Sequence, residues 1–572
     1  MSTTSTPSTA PHPRRLPLAG VLRLGRPSDI WFKPALSVVA AVAPPNLLLL
    51  ALGRLDLATY TMAGSLCALY AHHRPYAARA RVLAWVVLGM VGGLAVALLT
   101  AALTRDAVVL VTVGALLAAA QKALSDATRL GPPGNVILTF VSSAALFAPQ
   151  TPGQIPGHLG LAAAAGLWAW LVGMAPGLLR PHGPERRATA AALTAAATHA
   201  AARSAEDHAR TRATTAAAVQ TAWQTLLASK APTRTRHALE RLLVRAEVAL
   251  AAPADTDPAR LRAWARDLRG TGPVPRAQAP ADDHGAAADE LLGVDTELAA
   301  PPRSLWARLG PLTPLAARTA LGCALAGYAS LALGIGRPYW ALVTAAALYQ
   351  ANLTLTWSRC VQRVVGNLAG VLLFAAVAPL AHLGEVALVL CCLALNFGAE
   401  ALISRNYWLG SVCVTPMALL ITEFTGFQDP GRLITERVVD TVVGALVGLA
   451  AAVAVTNRRT GDRLERSLAH AERARERAAR LLAAPDATPG ALEAARRALA
   501  AALADLRATA DAASGEWWQR ALPQERVVLA EQAGHRTLAV TVRRQGLLPD
   551  GPAHAAGGAP GTTDEEAEDV RR

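Results

Sequence analysis

The chain has 572 residues, 53% of them hydrophobic and 17% charged, with a mean hydropathy of +0.30. Apolar runs recur with polar breaks short enough to be hairpin turns, which excludes a chain of several soluble domains and defines a polytopic membrane protein. The formal net charge of +14 comes almost wholly from arginine, since Lys33, Lys122 and Lys230 are the only lysines, and no basic stretch is interleaved with stacking aromatics; this argues against nucleic acid as a partner and for attraction to anionic membrane lipid.

Residues 1–28 are rich in Ser, Thr and Pro and are predicted to be a disordered cytoplasmic N-terminus. They lack the apolar core and small-residue cleavage site of a signal peptide. Residues 29–180 form a first transmembrane block, with helices predicted near 31–52, 57–71, 80–102, 107–124, 134–149 and 158–179. Several fall short of the roughly 20 residues of a straight span, which tilt or packing inside the bundle accommodates.

In residues 181–305 the apolar runs vanish, and a cytoplasmic helical insert is predicted, with helices at 184–227, 234–252 and 258–269. Leu239, Leu242, Leu243, Ala246 and Leu250 repeat at the spacing of a bundle face. Residues 270–288, rich in Pro, Gly and Ala, read as a linker. Residues 306–456 form a second transmembrane block, with helices near 314–333, 338–353, 361–381, 385–403, 406–423 and 434–456. Residues 457–572 form a cytoplasmic helical tail, with helices near 461–484, 489–513 and 524–543 and a disordered end from Ala553. The fold class is therefore all-α: two blocks of about six transmembrane helices separated by an insert and followed by a tail.

That arrangement points to an internal duplication. Ala68-Leu69-Tyr70 with Arg79 mirrors Ala347-Leu348-Tyr349 with Arg359, although Ala162 falls where Asp440 would be expected. Arginines cluster before the first helix, after the sixth and after the twelfth, which places the N-terminus, insert and C-terminus in the cytoplasm of a cell (cytoplasmic) membrane protein.

The chain has no Gly-Lys-Ser/Thr for phosphates, no H-E-x-x-H and no zinc-like Cys/His cluster, so it is read as neither an enzyme nor a cofactor or metal protein. The six cysteines lie in or beside apolar segments and read as small buried hydrophobes. What stands out is ionisable groups inside apolar helices, each costly enough to imply use. Glu400 shares a helix face with Asn396, and an interfacial pair with Arg405 is its plain alternative. Asp440 lies one turn from Arg437, where a local ion pair is the plain alternative. Glu400, Asp440 and Arg437 are the candidate proton-coupling residues. Arg359 and Arg363, one turn apart, are candidates to clamp an organic carboxylate, or else bind lipid phosphate and set topology. Tyr339, Trp340 and Tyr349, with Trp357, are placed to line a path for an aromatic ring, or to anchor an interfacial belt. Gly366, Gly370 and Gly444 are expected to admit close helix packing.

Arg337-Pro338-Tyr339-Trp340-Ala341-Leu342, then Arg359 to Gly370 as R-x-x-x-R-x-x-G-x-x-x-G, then Arg437 to Gly444 as R-x-x-D-T-x-x-G make up a signature. It resembles that of the fusaric acid resistance family of bacterial inner-membrane proteins, which includes the aromatic acid exporters. The resemblance favours roles for Arg437 and Asp440 and implies secondary efflux of small anionic, aromatic organic acids or toxicants, driven without ATP. A passive anion channel and a non-transporting scaffold that recruits a partner through its cytoplasmic helices are the alternatives. Substrate identity, coupling ion and homo-oligomeric assembly are left open by the residues themselves.

Overall fold

In a computed structural model the described residues are 18–25, 30–228, 233–276, 305–334, 337–350, 352–455, 460–514 and 524–544. Predicted disorder over 1–17, 26–28 and 553–572, the linker over 277–288, and the topology-setting Arg14, Arg15, Arg26, Arg458 and Arg459 lie outside them. The described residues are helical, without a strand.

The first block consists of α1 (Phe32–Ala51), α2 (Ala58–Ser65, extended by 3-10 turns Leu55–Leu57 and Leu66–Leu69), α3 (Tyr76–Leu103), α4 (Ala107–Ala127), α5 (Val136–Leu146) and α6 (Ile155–Met174), with a short α7 (Pro176–Leu179) continuing α6. The insert is α8 (Gly183–Ala200), α9 (Ala205–Ala228), α10 (Arg234–Ala251) and α11 (Pro258–Arg269). A short α12 (Leu305–Leu309) leads into the second block: α13 (Thr313–Ala332), α14 (Pro338–Leu348), α15 (Leu353–Ala381), α16 (Glu385–Ile403), α17 (Tyr407–Thr422) and α18 (Pro430–Ala454). The tail is α19 (Thr460–Ala483), α20 (Pro489–Ser514) and α21 (Gln524–Arg544).

Among the described residues nine helices are long and apolar enough to cross a bilayer. The chain is an α-helical, multi-pass membrane protein. Three of the twelve expected spans are short: α2, α5 and α14. α14 stops at Leu348 because Tyr349 turns extended, and the next helix starts at once, Asn352 accepting from the Leu355 N–H at 2.8 Å. α18 starts earlier than its apolar run, since the Asp429 carboxylate caps the Arg432 N–H at 2.8 Å and Pro430 fills the first turn.

The two blocks repeat one another in their contacts. The short α2 packs on α6, as α14 packs on α18, and α3 and α15 each span the length of their block. Each block lends its first helix to the other: α1 packs on α16, and α13 on α4. The short helices need glycine to approach their partners. A Cβ added at Gly444 would lie 2.5 Å from the Ala341 carbonyl oxygen of α14, while one at Gly64 of α2 would collide with the Ala162 backbone of α6. Gly366 and Gly370 face α17 in the same way, with Ser411 Cβ and Thr415 Cβ 2.6 and 2.7 Å from the added atom. Gly444→Val is therefore expected to destabilise the second block by about 1–3 kcal/mol through overpacking, read as a lowered Tm of the detergent-purified protein.

The expected helix over 184–227 is two helices. Ser204 and Asp207 interrupt it: the Ser204 hydroxyl accepts from the Asp207 N–H at 3.0 Å and donates to its carboxylate at 2.8 Å, which starts a new helix. Insert and tail each have an apolar core, and they join through a buried charge cluster. The Arg496 guanidinium on α20 lies 2.7 Å from Glu247 of α10 and 2.6 Å from Glu493, and Arg497 stacks on Trp223 of α9. Those carboxylates hold the Arg496 guanidinium above its ordinary range despite its burial. Arg496→Ala leaves buried Glu247 with the Trp223 N–H but no cation and Glu493 with Arg497 alone, and is expected to cost about 3 kcal/mol, visible as faster hydrogen exchange in α9, α10 and α20.

Residues 18–25, expected within a disordered N-terminus, are instead held against the second block. Side chains on α15 and at the start of α17 collect their carbonyls: Gln362 Nε2 and Asn406 Nδ2 donate to Val21 O at 3.0 and 3.1 Å, and Trp408 Nε1 to Leu22 O at 3.2 Å.

Candidate functional site

A cavity of about 870 Å³ lies between the two blocks. On α4, α5, α14, α15 and α16 only the half nearer the insert lines it, so it is a vestibule on that side of the molecule. Five cationic side chains (Lys122, Arg129, Arg359, Arg363 and Arg437) and two carboxylates (Asp126 and Glu400) reach its wall, with Phe140, Tyr349 and Tyr407 as aromatic lining. Lys122 and Asp126 pair with each other at 3.1 Å, which leaves four arginines facing one carboxylate.

Tyr407, at the start of α17, organises two of those arginines. Arg363 Nη1 donates to its hydroxyl at 2.8 Å, and the Arg359 guanidinium sits 3.8 Å from its ring centroid. Asn406 places that tyrosine by capping α17, its side chain accepting from the Trp408 N–H. Arg363 keeps a buried Nε without a partner. Arg437, on α18, is buried with its Nε and one terminal nitrogen unpartnered, its guanidinium 5.1 Å from the ring centroid of Trp340. A buried guanidinium with open donors is costly, and an anion entering the cavity offsets that cost.

Glu400 faces the cavity from α16, and no ion pair joins it to Arg405 or to any other described residue. Asn396, one turn away, has a buried amide nitrogen with no partner. Asp440 is fully buried behind the wall, one oxygen accepting from Ser330 Oγ at 2.7 Å and the other unpartnered. Asp440 and Arg437 form no ion pair within 4 Å, so the plain local-pair alternative does not account for them. Between α15, α17 and α18 the Asn367 side chain donates to Thr441 at 3.0 Å and accepts from Thr415 at 2.7 Å, locking the helices that carry the arginines.

Of the residues singled out in the sequence, Arg359, Arg363, Tyr349, Glu400 and Arg437 meet on one wall. Tyr339 and Trp340 do not reach it. Trp340 is only 1% exposed, between the guanidiniums of Arg337 and Arg437, so it is no interfacial belt residue. Tyr349 presents its ring to the cavity, while its hydroxyl packs over Gly322 and donates to Gly448 O at 3.2 Å. Sequence reasoning missed Tyr407, and it missed the first block's share: Lys122, Asp126, Arg129 and Phe140. The Gly131-Pro132-Pro133-Gly134-Asn135 turn that carries this wall was the available signal.

On the far side the helix ends are tied together. Arg337 pairs with Glu436 at 3.2 Å and bonds Gln428, Arg432 pairs with Glu436 at 2.8 Å, and His382 meets Glu423 at 3.1 Å.

Fold and cavity together define a polytopic helical membrane protein with a ligand-sized, cationic vestibule between two related halves. Residues 324–451 match the sequence model of the family described as "Fusaric acid resistance protein-like". The matched segment supplies α14 to α17, most of α18 and the second half of α13. It is also similar to the "Uncharacterized membrane protein YvaC" of Bacillus subtilis (strain 168), 35% identical over 113 residues, a stretch that is 19% of this chain and 18% of that relative. No solved structure matches the chain.

Proposed function

We propose that this protein is a secondary transporter exporting small, aromatic organic anions across the cytoplasmic membrane, with N-terminus, insert and tail on the cytoplasmic side. The observation that carries this reading is the cavity between the blocks: about 870 Å³, within the range of small-molecule sites, with four unneutralised arginines and aromatic walls. In this reading Arg359 and Arg363 draw the carboxylate in from the insert side and Arg437 receives it deeper. The ring lies along Phe140, Tyr349 and Tyr407.

Glu400 is the carboxylate on that wall and exchanges the proton that drives export; Asp440, behind Arg437, serves as the second exchange group. The vestibule on one side and the tied helix ends on the other support alternating access over an open anion channel, with the two blocks rocking about the site. The reading requires no cofactor and no chemistry on the cargo.

Growth profiling of a deletion strain tests it. Hypersensitivity to aromatic carboxylates is expected, restored by the wild-type chain and not by Arg363→Gln. A strain with unchanged tolerance to every aromatic acid tried sinks the proposal.

A further inference from the structure

A second cavity, of about 1,330 Å³, lies where the first block meets the insert. Its wall combines the start of α1, the end of α7, the first turn of α8, the start of α10 and the segment after α11. Lys33, Arg180, Arg187, Arg234 and Arg276 reach it from these five directions, and no aspartate or glutamate is among its described lining residues. None of the five forms an ion pair among the described residues. Arg186 is occupied elsewhere, donating to the carbonyls of Leu268 and Asp267 at the end of α11.

Crowding like charges in a partly desolvated space is unfavourable unless an anion is present. Burial first, and the neighbouring Arg180 charge, hold the Arg186 and Arg187 guanidiniums below their ordinary range. Donors converging from several directions suit an anion with several acceptor oxygens; a carboxylate, with two, satisfies fewer of them. The rim toward the bilayer is apolar, with Ile30, Phe32 and a strongly exposed Leu179.

We propose that this cavity binds a phosphate-bearing anion, bridging the membrane block to the insert. The site is separate from the vestibule, and the inference stands whether or not the transport reading holds. Two sources have this chemistry: the headgroup of an anionic phospholipid, which the apolar rim favours, and a soluble phosphate compound.

The full-length protein in phosphatidylcholine nanodiscs is compared with the same protein in nanodiscs containing phosphatidylglycerol, and separately titrated with inorganic pyrophosphate in phosphatidylcholine. A saturable rise in Tm with phosphatidylglycerol assigns the lipid, one with pyrophosphate alone assigns a soluble ligand, and both support the site. In Arg180→Gln/Arg187→Gln/Arg234→Gln the apparent affinity is expected to fall by about tenfold for each arginine removed. Without either probe that variant is expected to be as stable as the wild type or more so, because like-charge repulsion is relieved; a merely structural role for the arginines predicts a loss. Arg105→Gln, an exposed arginine on the far side, should keep the full response. The proposal is overturned if neither probe shifts the wild type, if both proteins shift alike, or if the triple variant is destabilised without any probe.

Discussion

Arg363→Gln is expected to weaken export of an aromatic carboxylate about 30-fold or more, seen as a raised KM in inverted vesicles. Glutamine keeps much of the volume and removes a buried charge, so the bundle should fold. What disappears is a buried cation with an open Nε on the cavity wall. Losing one partner of a desolvated charge pair costs about 2–5 kcal/mol, and 2 kcal/mol alone is about 30-fold. Arg363→Lys is expected to recover little, because an ammonium held by Tyr407 has no second fixed donor to offer the cargo. Tyr407→Phe, which removes one hydrogen bond to the arginine, should cost about 1 kcal/mol, or about fivefold. An unchanged KM for Arg363→Gln would remove this arginine from the path.

Glu400→Gln should have an equally large effect of a different kind. It is expected to abolish accumulation driven by a pH gradient while leaving exchange of cargo between the two faces. Because Glu400 forms no hydrogen bond or ion pair with described residues, the neutral amide strands no partner, and the folded state should tolerate it. The chemistry alone changes: the group can no longer gain and lose a proton. Asp440→Asn probes the second exchange site, with the Ser330 hydroxyl still able to donate to the amide oxygen. Gradient-driven accumulation that survives Glu400→Gln would contradict its role in coupling.

Much of this architecture was legible in the sequence because membrane spans depend on local features. Apolar runs and small residues at Gly366, Gly370 and Gly444 each act within a turn or two, whereas the Asp429 cap that starts α18 ahead of its apolar run was not read. The break at Ser204 was missed because alanine-rich helical spacing continues through it while a single capping interaction decides the outcome. The exchange of α1 and α13 between blocks was not legible, since it depends on which faces meet and not on any one segment.

The site shows the same division. Arg359, Arg363, Glu400 and Arg437 stand out as charges in apolar surroundings. Lys122, Asp126 and Arg129 look like ordinary helix-end residues until the first block is folded against the second. Trp340 read as an interfacial aromatic because it follows Arg337 and Pro338. Gly444 lets α18 close over α14, and that closure buries the ring between two guanidiniums.

Purified protein in sealed proteoliposomes, given a labelled aromatic carboxylate and an imposed pH gradient at clamped voltage, tests the central claim most directly. The account predicts movement of the acid against its own gradient, collapsing when the pH gradient is dissipated and lost in Arg363→Gln. Flux that ignores the pH gradient, or no flux with correctly folded protein, would contradict it.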